Sequence, residues 1–167
     1  MRNGIAVMAI VLAGALATAG CLETETTLAP PEQGVVDIKF VGDWQLKDGD
    51  KSFDVIVRNF DGHQLYVELH NPDKASDRYA AQLTALKGGS FAQLRPLTDD
   101  GSIERKYVIM RVDRSGDDKI NLRHLEEEFF NDKPHETSEK LRAVLEANID
   151  NAAMYEGEAF PITRKAE

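Results

Sequence analysis

The one side chain that its surroundings single out for chemistry is the thiol of Cys21. It is the sole cysteine among 167 residues and directly follows Thr18-Ala19-Gly20, three small residues closing an uncharged apolar run from Ile5 to Ala19. With no second cysteine the chain can form no internal disulfide, so packing alone must stabilise it in an oxidising compartment. Other chemistries find no matching pattern. His63, His70, His124 and His135 fall on different elements without the i, i+4 spacing of a helical metal site, and are expected to be solvated surface histidines. His70 with Asp73 and Asp77 could form a metal or acid–base group, although Asn71-Pro72 favours an ordinary turn loop. The run Asp113-Arg114-Ser115-Gly116-Asp117-Asp118 puts glycine fourth and His124 twelfth, where a calcium loop needs glycine sixth and glutamate twelfth, so it is read as a hairpin tip. No serine lies in a Gly-x-Ser-x-Gly elbow, since Phe91 follows Ser90, and Gly88-Gly89 lacks the lysine and helix of a phosphate loop. No catalytic residue, metal ligand or cofactor is therefore expected.

Before Cys21, Arg2 supplies a short positive start, and the apolar run of about 15 residues falls short of the roughly 20 needed to span a bilayer core. Residues 1–20 thus read as a secretory signal peptide cut between Gly20 and Cys21. Ala19-Gly20-Cys21 behind a Leu/Ala-rich core resembles the lipobox of bacterial lipoproteins. That resemblance implies a diacylglycerol on the Cys21 thiol and acylation of its freed amine. Leu22, in place of an aspartate, implies by the sorting rule of enteric bacteria an outer-membrane anchor facing the periplasm. Losing Arg2 from a chain of 20 basic and 29 acidic residues makes the formal charge one unit more negative than −9. Such a surface repels phosphate backbones and anionic headgroups, which excludes nucleic acid as a partner and leaves the membrane to be held by lipid. One chain would hold marginally and several firmly, at about 0.8 kcal/mol per buried methylene.

The elements behind the anchor follow from hydrophobic period. Leu22 to Gly34, with interleaved Thr and Glu and the Pro30-Pro31 pair, shows no periodicity, so residues 21–34 are expected to be the lipidated cysteine and a flexible tether spanning about 20 Å. Residues 35–167 are expected to form a single mainly antiparallel β-domain. Its strands are read at Val35–Val41, Phe53–Phe60, Gln64–His70, Arg78–Leu86, Ser90–Leu94, Ile103–Val112 and Lys119–Leu122, with turn residues between them. From Arg123 the period becomes helical. A helical segment is expected over about 124–150, broken at Pro134 and restarted by Thr137 or Ser138 as a cap, with Leu141, Val144, Leu145 and Ile149 on one stripe. Phe160–Thr163 would return as a short edge strand, where Pro161 is tolerated.

Short hairpin-linked strands of this kind predict a small antiparallel meander, a closed barrel or half-barrel, with one or two docked helices. Gly42-Asp43-Trp44 at its start resembles the Gly-x-Trp signature of lipocalins and of small lipocalin-like envelope lipoproteins. The resemblance implies that Gly42 and Trp44 close one end of the barrel, and it brings no assigned chemistry. Three functions follow as expectations: a monomeric, non-catalytic envelope lipoprotein that meets a protein partner; lipocalin-like binding of a small apolar ligand; and an envelope hydrolase.

Overall fold

The computed structural model describes residues 21–48, 51–70, 75–98 and 106–166. The signal segment with Gly20 lies outside the described residues, as do Asn71, Pro72, Asp73 and the start of the strand expected from Ile103. Nine strands form one antiparallel sheet: β1 Glu23–Thr24, β2 Gly42–Asp48, β3 Lys51–Asn59, β4 Leu65–His70, β5 Asp77–Leu86, β6 Gly89–Pro96, β7 Tyr107–Arg114, β8 Lys119–Leu125 and β9 Tyr155–Arg164. Strands β2 to β9 pair in chain order, and β9 returns to pair with β2, so these eight close into an up-and-down barrel. Closure removes the exposed strand edges that an open sheet of this kind would present.

Alternation along each strand sorts side chains between two cores. Trp44 and Leu46, Phe53, Val55 and Val57, Leu65 and Leu69, Ala81, Ala92, Val112, Ile120 and Ile162 fill the lumen. The residues between them on β6 and β7, Phe91 and Ile109, belong instead to an outer core with Leu22, Leu28, Leu86, Leu125, Phe130 and Tyr155. That outer core is covered by α2, Ser138–Asn148, whose Leu141, Val144 and Leu145 are buried, with Ile149 just beyond its end. Thr137 caps α2 by accepting from the Lys140 N–H. At the other end the Ile149 carbonyl accepts from Arg111 Nη1 at 2.8 Å and from the Tyr155 hydroxyl at 2.7 Å, so a cation meets the negative end of the helix. Gly89 permits this docking, because a Cβ there would come within 2.8 Å of Ile149 Cδ1.

Four expectations are corrected. Residues 35–41 form no strand; Ile38–Phe40 is a single 3-10 turn capped by Asp37, and the first barrel strand begins at Gly42. The helical period read from Arg123 starts too early. Arg123 to Leu125 continue β8, α1 is only Glu127–Phe130, and α2 follows separately. The C-terminal strand is no short edge. β9 runs ten residues between β8 and β2, and Pro161 is accommodated because the β2 ladder ends one residue away, at Leu46–Ile162. Finally, residues 21–34 are packed on the barrel where a flexible tether was expected, with Leu22 and Leu28 wholly or almost wholly buried.

Candidate functional site: the Cys21 end of the barrel

The barrel has two unlike ends. At one lie the β5–β6 and β7–β8 hairpins, the entry to β2 and the exit from β9; at the other lie the β2–β3 turn and the connection from β8 through α1 and α2 to β9. Trp44 lies in the lumen near the first end. It is fully buried, donates from Nε1 to the Phe40 carbonyl at 2.9 Å, and carries the Arg164 guanidinium 4.2 Å above its ring. Arg164 also donates to the carbonyls of Val41 and Lys39, tying the end of β9 to the chain entering β2. Gly42 is needed beneath it: its φ is +150°, and a Cβ would lie 2.2 Å from Arg164 Nη1.

Cys21 marks the second end. It forms an antiparallel bridge with Glu126 just beyond β8, and the Leu22 N–H donates to the Leu125 carbonyl at 2.9 Å. β1 then pairs with the first residues of β7, Glu23 with Val108 and Thr24 with Tyr107, below the point where the β7–β8 ladder starts at Met110. Farther on, the chain crosses the outer face of β5 and β6, where Gln82 and Gln93 are each 1% exposed. Gln93 Oε1 accepts from the Leu28 N–H at 2.6 Å, Gln93 Nε2 donates to Gln82 Oε1 at 2.8 Å, and Gln82 Nε2 donates to the Pro30 carbonyl at 2.9 Å. Two strand glutamines that alternation alone would leave facing water are thus the clasp of the segment.

The Cys21 side chain faces a small group of unusual composition. Its thiol donates to Glu156 Oε2 at 3.0 Å, and the residue is 3% exposed. Glu156 pairs in register with His124, on the lumen face of β8 beside Met110. The register between β8 and β9 slips at this point, with Leu122 opposite Phe160 but His124 opposite Glu156, and Gly157 in the slipped stretch takes φ +62°. His124 is 5% exposed, stacks on Phe160 at 5.3 Å between ring centres, and among the described residues neither ring nitrogen has a hydrogen-bond partner. Burial lowers its pKa from the usual histidine range, against a smaller upward pull from Glu156. Its expected place on the wet surface is therefore corrected. Residues 120, 122 and 124 share the lumen face of β8, so its alternation reaches His124 and puts the ring inside.

The other residues weighed in the sequence are dispersed. His70 Nδ1 lies 3.1 Å from Ser76 Oγ on the outside of the barrel, near Glu68, whose carboxyl is held below the usual range chiefly by the Tyr66 hydroxyl; Asp73 is outside the described residues. His63 meets the Gly34 carbonyl and His135 the Lys133 carbonyl. The Asp113–Asp118 stretch is a hairpin whose Asp117 pairs with Arg114. Among the described residues no group of three or more His, Cys, Asp or Glu side chains is placed to hold a metal ion. Among the described residues an open groove of about 480 Å³ is lined by Ala29, Val35, Phe40, Leu83, Ser90 and Arg142 among others; Leu83 and Ser90 lie on the lumen face of β5 and β6, so the groove reaches the barrel mouth near the Trp44 end. No family model, curated protein or solved structure matches the chain.

Proposed function

We propose that this chain is a lipoprotein of the cell envelope, anchored by lipid at Cys21, whose barrel acts by contact with a protein partner and not by catalysis. The observation that carries the reading is Cys21 itself, the only thiol, set behind an apolar run and three small residues. Its place at one end of a closed barrel supports the reading, since an anchor there leaves the opposite end and most of the wall available for contact. Leu22 after the cysteine favours the outer membrane, with the barrel in the periplasm. The lumen, filled by Trp44, Phe53, Leu46, Leu69, Ile120 and Ile162, favours contact over a lipocalin-like small apolar ligand, which would need space where these side chains sit. A hydrolase would draw on His124 and Glu156. The nucleophile beside them is Cys21, which acylation would remove from such chemistry.

Mass spectrometry of the protein extracted from the envelope tests the anchor: residues 1–20 should be absent and Cys21 should carry a diacylglyceryl mass together with an N-acyl group. A free thiol on residue 21, or a retained Met1, ends the reading. Capture from the same extract, run beside native mass spectrometry of the delipidated domain, separates a protein partner from a retained apolar ligand.

A further inference from the structure

If Cys21 carries lipid, the way the segment behind it is held bears on how the barrel stands on the membrane. A free segment of 13 residues would let the domain turn in any direction within about 20 Å of the surface. Here the segment is clasped. Leu22 is bonded to Leu125, β1 is laddered to β7, Lys106 Nζ meets Glu23 Oε2 at 3.1 Å, and Leu28 to Pro30 are held by Gln93 and Gln82. Leu22 and Leu28 are buried in the same outer core as Leu141 and Leu145 of α2, so releasing them would expose apolar surface as well as break hydrogen bonds. Slack remains only at the first residue. The thiol is enclosed against Glu156, a place that cannot also hold a diacylglyceryl group, so the acylated residue must swing outward. One residue reaches about 3.8 Å.

We propose, resting on the lipoprotein reading, that the Cys21 end of the barrel is a membrane-apposed surface, standing directly on the bilayer with the Trp44 end pointing away. The barrel axis then stands upright, and the distant end carries the β3–β4, β5–β6 and β7–β8 loops into the periplasmic space. The lipid surface that fits is a zwitterionic one. The carboxylates nearest Cys21, Glu126, Glu127, Glu128 and Glu156, are offset at the same end by Lys51, Arg78, Arg95 and Lys106, so there is no dominant basic charge to draw anionic headgroups and a neutral headgroup surface suffices.

The test uses the full chain, processed and lipidated in a bacterial host and reconstituted into phosphatidylcholine vesicles containing a headgroup spin-labelled lipid. Because a lipidated Cys21 has no free thiol, a single introduced cysteine takes the fluorophore. Glu127→Cys stands beside the anchor, Lys51→Cys at the same end on a strand across the barrel, and Ser115→Cys at the opposite end; all three positions are exposed. Severalfold stronger quenching at 127 and 51 than at 115 is expected. Equal quenching at all three, or quenching at 127 without 51, overturns the upright stance. A flexible Gly/Ser insertion between Cys21 and Leu22 should even out the three signals, and failure to do so would also overturn it. Mass analysis of the same samples keeps the two readings apart: an unlipidated chain ends the proposed function, whereas a lipidated chain with uniform quenching ends only this inference.

Discussion

Replacing Gln93 with methionine keeps the length and much of the volume of the side chain while removing every hydrogen bond it makes. In the structure Gln93 accepts from the Leu28 N–H at 2.6 Å and donates to Gln82 Oε1 at 2.8 Å, with a longer contact of 3.4 Å to the Ala29 carbonyl. All of this is out of water, since Gln82 and Gln93 are each 1% exposed and Leu28 is 0% exposed. The substitution leaves one buried backbone donor and one buried amide acceptor unpartnered, and each such group costs about 1–3 kcal/mol, so a loss of about 2–6 kcal/mol is expected. Against a total stability of about 5–15 kcal/mol that is a large fraction. Urea unfolding of the soluble domain from residue 21 onward, with Cys21→Ser to remove the thiol, gives the magnitude from the shift in midpoint at constant slope. Hydrogen exchange at the Leu28 amide gives the location, because it should lose protection before the barrel strands do. A loss below about 0.5 kcal/mol with Leu28 still protected would refute the clasp, and with it the argument that residues 21–34 belong to the folded domain.

Other outcomes follow from the same geometry. Trp44→Ala should cost about 3–5 kcal/mol in thermal or urea unfolding, because it leaves a cavity at the barrel end and strips the ring from under Arg164. Deleting residues 21–34 should destabilise the domain by about 3–6 kcal/mol through the lost burial of Leu22 and Leu28, read as a lower unfolding midpoint. His124 has a folded pKa below its unfolded value, so the unfolded chain binds the extra proton and stability falls as pH drops below about 6.5, levelling off once pH is below the folded value. His124→Phe should raise stability at neutral pH by about 1–3 kcal/mol and flatten the slope in that window, which is at most about 1.4 kcal/mol per pH unit for one proton. Cys21→Ser should abolish membrane fractionation of the full chain while leaving the fold intact, checked by partition of the extract and circular dichroism.

The parts of the fold legible in the sequence are those built on strict alternation with one wet face. β4 is the clearest case, with Leu65, Val67 and Leu69 turned inward and Tyr66, Glu68 and His70 outward. What alternation could not supply is where a polar face meets protein instead of water. Gln82 and Gln93 read as solvent-facing positions, and nothing in Leu22–Gly34 reads as structured, because the segment is held by side-chain amides and not by a long ladder of its own. His124 was hidden for a different reason. Leu125, Phe129 and Phe130 have helical spacing, and carrying that period backwards takes Arg123 and His124 away from β8, where the pairing with Met110 and Arg111 puts them. The strand expected at Phe160–Thr163 covers only the last part of β9, because the residues before it do not alternate between a buried and a wet face and pass through a register slip.

The two cores share the strands that separate them, and this sets how the segment from Cys21 onward is connected to the barrel. On β7, Ile109 faces the outer core and Val112 the lumen; on β6, Phe91 and Ala92 divide in the same way. Leu22 and Leu28 join only the outer core, together with α2, whose end is tied to the barrel by Arg111 and Tyr155. Cys21 itself meets the strands directly, through Glu126 and Glu156, whereas the rest of the segment is held through the outer core. Helix α2, placed between β8 and β9 in the chain but packed on the outer wall with Leu22 and Leu28, completes the apolar surface that holds a segment with no periodicity of its own. The residues that hold the later part of this segment against the barrel are accordingly Gln82, Gln93 and the buried stripe of α2.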